Sequence, residues 1–313
     1  MATAAPLSVS GTAAGRLRRR ALWASVAVAG GLVGLKCLAW LATGSVALLS
    51  SLVDSLLDLA ASIVNLLAVS HAMSPADREH RFGHGKAEPL AVLGQSAFIA
   101  GGAILLLATA VRRLIAPAPI DHPPAGIAVM LVSIAAGLIL VLYQRSVVRR
   151  TGSLAVSADE LHYRGDLLLG GGVILALVLG GVFDLPYLDP LFGAAIGLWI
   201  AWSAVKLARL SLTQLMDREL PDEERARIRA IAESHPAVSA VHDLRTRAAG
   251  PTAFIQLHLE MPGTLSLLRA HEIADEVETA LRRAYPNAEI LIHEDPAGVE
   301  EPRPRFPPKV RAQ

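Results

Sequence analysis

The sequence predicts an α-helical membrane protein in which six transmembrane helices are followed by a small α+β cytoplasmic domain. Three observations carry this expectation. Of 313 residues, 53% are apolar and only 18% are charged, whereas a soluble domain has roughly 25% charged residues, and the mean hydropathy is +0.45. Six apolar stretches reach the length of about 20 residues that a helix needs to cross a hydrocarbon core. After Asp217 the long apolar runs stop, and charged segments of helix and strand length replace them. The composition argues against a soluble enzyme and against a disordered chain, and a formal net charge of +1 offers no overall attraction to nucleic acid.

The spans read as Ala21–Leu41, Ser45–Ser70, Leu90–Val111, Ala125–Leu142, Leu154–Phe183 and Leu191–Leu210. The first is too long for the apolar core of a signal peptide and lacks a small-residue cleavage site, so it is expected to remain in the chain. Breaker residues separate the spans at Thr43-Gly44-Ser45, between Pro117 and Pro124, and from Asp184 to Pro190. Basic residues concentrate on one side: Arg16, Arg18, Arg19 and Arg20 before the first span, Arg78, Arg81 and Lys86 after the second, Arg145, Arg149 and Arg150 after the fourth, and Lys206, Arg209 and Arg218 after the sixth. With an even number of spans, this bias places both termini in the cytoplasm. Residues 1–20 are expected to form a disordered basic arm, 21–211 the transport domain, 212–297 the cytoplasmic domain and 298–313 a disordered tail. In the cytoplasmic part, Asp222–Glu233 and Leu265–Ala284 fit helices, while Ala240–Arg247, Thr252–Met261 and Glu289–His293 fit strands. The lone Cys37 cannot form an internal disulfide.

Ionisable groups inside apolar spans are costly and usually mark an ion or substrate pathway. Asp54 and Asp58 lie four residues apart in the second span, and His162 and Asp166 repeat that spacing in the fifth, so each pair shares a helix face. Three carboxylates and one imidazole form a set that a tetrahedral Zn²⁺ accepts, and Fe²⁺, Mn²⁺, Co²⁺ or Cd²⁺ can use the same donors. Helix-packing hydrogen bonds or a proton relay are the competing readings. Lys36 and Arg164 sit near span ends, where long cationic side chains usually reach toward the interface. In the loop after the second span, Asp77, His80 and His84 are spaced so that a turn could gather them, although charged loops are mostly just solvated. The cytoplasmic part holds His242, His258, His271, His293 and Asp295. These suggest a one- or two-metal site with Asp295 able to bridge, against the alternative of scattered surface histidines. His71, His122 and His235 have no partner in the pattern. His271-Glu-Ile-Ala-Asp275 lacks the second histidine of a zinc-protease helix motif.

Taken together, these motifs resemble the cation diffusion facilitator family, in its bacterial ferrous-iron and zinc efflux branch. The resemblance rests on Gly44-Ser45 with Asp54 and Asp58, on Pro75 to Glu88 including Phe82-Gly-His-Gly-Lys86, and on Leu161-His-Tyr-Arg-Gly-Asp166. It continues through His242-Asp-Leu-Arg-Thr-Arg247, Gly250-Pro-Thr252, Gln256-Leu-His-Leu-Glu-Met261 and Ile292-His-Glu-Asp-Pro296. The family implies a homodimeric transporter, not an enzyme, that exports Zn²⁺ together with Cd²⁺ or Fe²⁺ across a bacterial inner membrane in exchange for protons. It implies a metallochaperone-like cytoplasmic domain. Carried over by position, it implies a transport site at Asp54, Asp58, His162 and Asp166, and a loop site at Asp77, His80 and His84. It further implies a binuclear cytoplasmic site at His242, His258, His271, His293 and Asp295, and a charge interlock between Lys86 and Asp217. A membrane-anchored metal sensor is the alternative function.

Overall fold

A computed structural model describes residues 11–44, 46–116, 124–183, 187–250 and 252–299. It divides into two units, Met1–Met216 and Asp217–Gln313. The first is built from α1 (Gly11–Thr43), α2 (Val46–Ala72), α3 (Ala87–Ile115), α4 (Pro124–Thr151), α5 (Leu154–Phe183) and α6 (Leu188–Leu215). The boundary with the second unit falls after Met216, a few residues beyond the expected position, because α6 continues to Leu215. Residues 1–10 and 300–313, Ser45, most of the Pro117–Pro124 break, 184–186 and Pro251 lie outside the described residues.

Six long helices form, and among the described residues five of them are long and apolar enough to cross a membrane. In α5 the ionisable residues Asp159, Glu160, His162, Arg164 and Asp166 all lie in the first half, ahead of an uninterrupted apolar run from Leu167 to Phe183. One expectation needs correcting: residues 11–20 are not disordered, because α1 begins at Gly11 and takes them into the helix.

The helix extension has a physical cause. Arg18 is buried, with its Nη1 3.4 Å from Glu88 Oε2 and its Nη2 donating to the Thr151 carbonyl at 2.7 Å. Glu88 Oε1 in turn accepts from Ser153 Oγ at 2.5 Å and from the Ala155 amide at 3.2 Å. A carboxylate at the start of α5 suits the positive end of that helix. The chain can turn there because Gly152 adopts φ +61°, with its amide closing α4 onto the Val148 carbonyl at 2.8 Å. One buried ion pair thus joins the ends of α1, α3, α4 and α5.

Apolar packing does the rest. Ala21, Leu22, Leu66, Val69, Val92, Val147, Val156 and Leu207 form a core to which all six helices contribute. α3 and α6 approach closely: a Cβ added at Gly197 would stand 3.0 Å from Leu107 Cγ, the small-residue contact usual between membrane helices.

The second unit comprises α7 (Asp222–Glu233), β1 (Ala240–Ala249), β2 (Thr252–Met261), α8 (Leu267–Ala284) and β3 (Ala288–Pro296). Its sheet has the order β1-β2-β3, with β1 antiparallel and β3 parallel to β2. Along β2, Ile255, Leu257, Leu259 and Met261 are buried and join Ile228 of α7 with Ile273, Val277 and Leu281 of α8 in one core. Gln256, His258 and Glu260 therefore face the other way. Ser266 caps α8 by accepting from the Arg269 amide at 3.3 Å. All five elements were expected from the sequence, with edges moved by a few residues.

Removing Glu88 should leave Arg18 buried without its partner, an error that costs about 3–5 kcal/mol. Thermal unfolding of purified Glu88→Ala should show a large loss, whereas Glu88→Leu combined with Arg18→Met should recover much of it.

Candidate metal centres

Three clusters of ligating side chains stand out among the described residues: Asp58, His162 and Asp166; Asp77, His80 and His84; and His242, His258 and Asp295. In each, one ligand atom per residue lies within 4.8 Å of the others.

The first cluster joins α2 to α5. His162 Nε2 lies 2.9 Å from Asp58 Oδ1 and 3.5 Å from Asp166 Oδ2. The i, i+4 spacing of His162 and Asp166 places both on the face of α5 that meets α2. Asp54 lines the same cavity of about 420 Å³ with Asp58 and Asp166, but its carboxylate stands outside the three-residue group. Like charges four apart on a helix repel, and Asp166 already occupies the place beside His162. One imidazole and two or three carboxylates form a borderline-hard set that suits Zn²⁺, Cd²⁺ or Fe²⁺.

Lys36 departs from expectation. It does not run along the helix toward an interface. It lines the cavity with the acids, and its Nζ donates to Ser55 Oγ at 2.7 Å and to the Ser51 carbonyl at 3.3 Å. Its amine faces the acids' carboxylates across the cavity. Arg164 is held too, 3.7 Å from Glu160 and 5.1 Å over the Trp199 ring.

The sequence reading also passed over Asp159. Asp159 is 1% exposed. It accepts from Gln144 Nε2 at 2.6 Å and from Ser62 Oγ at 3.5 Å, and Gln144 Nε2 also donates to Ser25 Oγ at 2.8 Å. The available signal was a third acid on the apolar fifth helix, one turn before His162.

The loop cluster is built on a turn. The Asp77 carboxylate accepts from the amides of His80 at 2.6 Å and Glu79 at 2.9 Å. Its oxygens lie 3.4 Å from His80 Nδ1 and 3.3 Å from His84 Nε2. These amide bonds, foremost that from His80, hold the Asp77 carboxyl below its ordinary range. Gly83 at φ +75° reverses the chain so that His84 returns toward the loop's start.

In the second unit the strand register does the work. His242 pairs with His258 across β1 and β2, and His258 pairs with His293 across β2 and β3, so three imidazoles lie in one row. Asp295 Oδ2 lies 3.1 Å from His242 Nε2 and 2.8 Å from His258 Nδ1, while its Oδ1 lies 3.2 Å from His293 Nε2. The carboxylate therefore spans the row, as a bridging ligand would. Both His242 nitrogens are buried and neither makes a hydrogen bond. Because Nε2 faces both Asp295 and Glu260, the latter at 3.2 Å, a cation between them would satisfy it, so this donor set fits a metal. His271 is not brought in. It is 65% exposed, and its nearest acids are Asp275 at 3.7 Å and Glu294 at 3.9 Å. The sequence reading missed Glu260 and also Asp243, which lies 3.8 Å from His258 Nε2 at the irregularity in β1.

The two interlock residues are described within their own units. Lys86 Nζ donates to the Leu215 carbonyl at 3.4 Å, and Asp217, at φ +54°, accepts from Arg247 Nη1 at 3.2 Å. His235 lies 3.0 Å from Glu276, and His122 lies outside the described residues.

The family model for a cation efflux transmembrane domain matches residues 22–216, and that for the cytoplasmic domain of cation efflux proteins matches residues 220–297. The chain belongs to the cation efflux family. It is 48% identical over 285 residues to the cation-efflux pump FieF of Salmonella paratyphi A, covering 91% of this chain and 95% of that protein. The FieF pumps of Escherichia fergusonii and of Escherichia coli (strain K12 / DH10B) give the same identity and coverage. Among solved structures, the zinc form of the putative zinc transporter CzrB is 40% identical, covers 28% of this chain and 99% of its own, and has a TM-score of 0.26. The metal-bound C-terminal domain of CzcD from Thermotoga maritima is 28% identical, covers 26% of this chain and 100% of its own, and has a TM-score of 0.25. The protein is a membrane-spanning cation efflux pump, not an enzyme.

The depressed Asp77 carboxyl carries a pH signature. A group held lower in the folded than in the unfolded chain stabilises above its unfolded value, about 3.9 for aspartate, and loses that contribution as pH falls through the folded value. Carboxyl-carbon NMR should show Asp77 staying ionised below the pH at which exposed aspartates protonate, and its turn loosening only when it titrates.

Proposed function

We propose that this pump exports Zn²⁺, with Cd²⁺ and Fe²⁺ as further cargo, from the cytoplasm across a bacterial inner membrane by proton antiport, as a homodimer. In this reading α5 is the sixth span, and both termini are cytoplasmic. The carrying observation is the convergence of Asp58, His162 and Asp166 between α2 and α5 in a chain of the cation efflux family. Asp54 would close in from the same cavity as the fourth ligand.

Metal binding needs ionised carboxylates and a neutral imidazole, so proton and metal compete for the same atoms. Imidazole in water titrates at about 6.5, close to cellular pH, which makes His162 the natural exchanging group. A dication enters from the cytoplasm, the helices turn the site outward, and a proton on His162 releases the metal. The protonated site then returns inward. An inside-negative potential favours inward passage of each proton by about 2.3 kcal/mol per 100 mV. Lys36 tunes the exchange: three carboxylates and one ammonium leave two negative charges, the complement of one dication.

The row of His242, His258 and His293 with Asp295 is assigned to a regulatory metal pair, with His271 joining when metal draws it in. Metal there would bias the transporter only if the inward- and outward-facing states bind it differently. Lys86 and Asp217 are assigned to the charge interlock at the dimer's membrane surface.

In proteoliposomes with an imposed pH gradient, Asp58→Ala should abolish Zn²⁺ movement, and unchanged transport would sink the proposal. His162→Asp should move the preference from Zn²⁺ toward harder cations such as Mn²⁺. Calorimetry on Lys36→Met should show Zn²⁺ bound more tightly, on the order of tenfold, with slower export.

A further inference from the structure

His71 has no role in anything described so far. It lies in the last turn of α2, and its ring centre is 4.5 Å from that of His84, tilted by 58°. The His80 and His84 rings are 4.6 Å apart, and His71 stands just outside the group in which the ligand atoms of Asp77, His80 and His84 converge. Two imidazoles sharing one tetrahedral zinc at Zn–N distances near 2 Å have ring centres about 5 Å apart. The histidine row of the second unit shows the same spacing, 4.6 Å and 5.1 Å. A histidine at a helix C-terminus also suits the negative end of the helix dipole, but that role calls for no second imidazole against it.

We infer that His71 is a fourth ligand of the loop site, which with Asp77, His80 and His84 makes a three-nitrogen, one-oxygen set for a borderline dication such as Zn²⁺. The inference rests on the reading of that loop as a metal site. Three ligands leave an open position, whereas four close the tetrahedron as structural zinc sites do. His84 is the hub. Its side chain is only 7% exposed, its Nε2 faces Asp77 at 3.3 Å, and its Nδ1 is buried without a hydrogen-bond partner. The backbone holds the ends together. The Ser74 amide donates to the His71 carbonyl at 2.9 Å as the chain leaves α2, and the Gly83 amide donates to the His80 carbonyl at 2.9 Å as the chain turns back.

The fourth ligand changes what the site does. Asp77, His80 and His84 all belong to the connection, but His71 belongs to the helix that carries Asp54 and Asp58. His71 is thirteen residues beyond Asp58, roughly 20 Å along the helix. Metal held by His71 and His84 ties the end of α2 to the start of α3, so occupancy of the loop senses the position of a helix that also carries cargo ligands.

The test uses the full chain in detergent, carrying Asp58→Ala and Asp295→Ala to silence the other two clusters, with Co²⁺ as a visible probe. One Co²⁺ per chain should bind with the intense absorption of four-coordinate cobalt. Adding His71→Ala should weaken binding by about 10–100-fold or more, the range that even an outer-shell partner commands, and should collapse that absorption. His71→Cys should keep both. If His71→Ala changes neither affinity nor spectrum while Asp77→Ala abolishes binding, the inference falls and the loop site stands. If Asp77→Ala also changes nothing, the loop reading falls and takes the inference with it.

Discussion

Negative charge inside an apolar helix bundle must be matched, and the first unit is organised around that demand. Charged side chains at membrane depth are tolerated where they face a cavity, pair with each other or bind an ion. Asp54, Asp58 and Asp166 face a common cavity. Among the described residues that line it stands one basic side chain, Lys36, held by Ser55 and the Ser51 carbonyl. A lone ammonium cannot balance three carboxylates, and the residual charge is what a dication or a pair of protons would cancel. On the proposed reading, the single imidazole would tilt the site toward borderline metals, since nitrogen donors favour them and an all-oxygen set does not.

The same physics explains the contrast between this cluster and Asp159. Asp159 is more deeply buried than Asp58, His162 and Asp166, yet it accepts from neutral donors, Gln144 and Ser62. Amide and hydroxyl groups can satisfy a carboxylate's lone pairs without cancelling its charge. It is therefore a fixed feature of helix packing around Ser25, Ser62 and Gln144, with no opening to the cavity that Asp58 and Asp166 line. Glu88 shows the third solution, a true ion pair with Arg18 reinforced by the amide of Ala155. A buried acid in this bundle is matched by a neutral network, by a salt bridge, or by something that arrives from outside.

Much of this was legible from the sequence because the signals were local. The i, i+4 repeats of Asp54 with Asp58 and of His162 with Asp166 fix a helix face wherever the helices pack, and alternation along Thr252–Met261 fixes which side of the strand His258 occupies. What escaped depended on long-range placement. Lys36 lies near the end of an apolar run, where the local rule is to reach for the interface, and only the packing of α1 against α2 shows it turned into the cavity. Glu260 and Asp243 look like ordinary surface acids until the register sets Ala240 opposite Glu260 and carries His242 beside it. His271 is the converse case: its residue type fits the set, while α8 holds it mostly exposed with Asp275 and Glu294 for neighbours. In α5 both signals share one helix: the ionisable residues fill its first half, and an apolar run from Leu167 to Phe183 follows them.

The loop after α2 adds a constraint on mechanism. A helix that presents Asp54 and Asp58 in one half and a histidine at its far end cannot move without moving both. α-Helices are stiff over this length, because each turn is locked to the next by backbone hydrogen bonds, so any shift of Asp54 and Asp58 along the helix axis would be transmitted to His71 nearly undiminished. His84, in contrast, is set by the Gly83 turn and the start of α3. The distance between the two histidines is thus a direct gauge of α2 against α3. Any ion that fixes this distance resists the rearrangement by the free energy with which it prefers one spacing over the other, and an ion that binds both spacings equally resists it not at all.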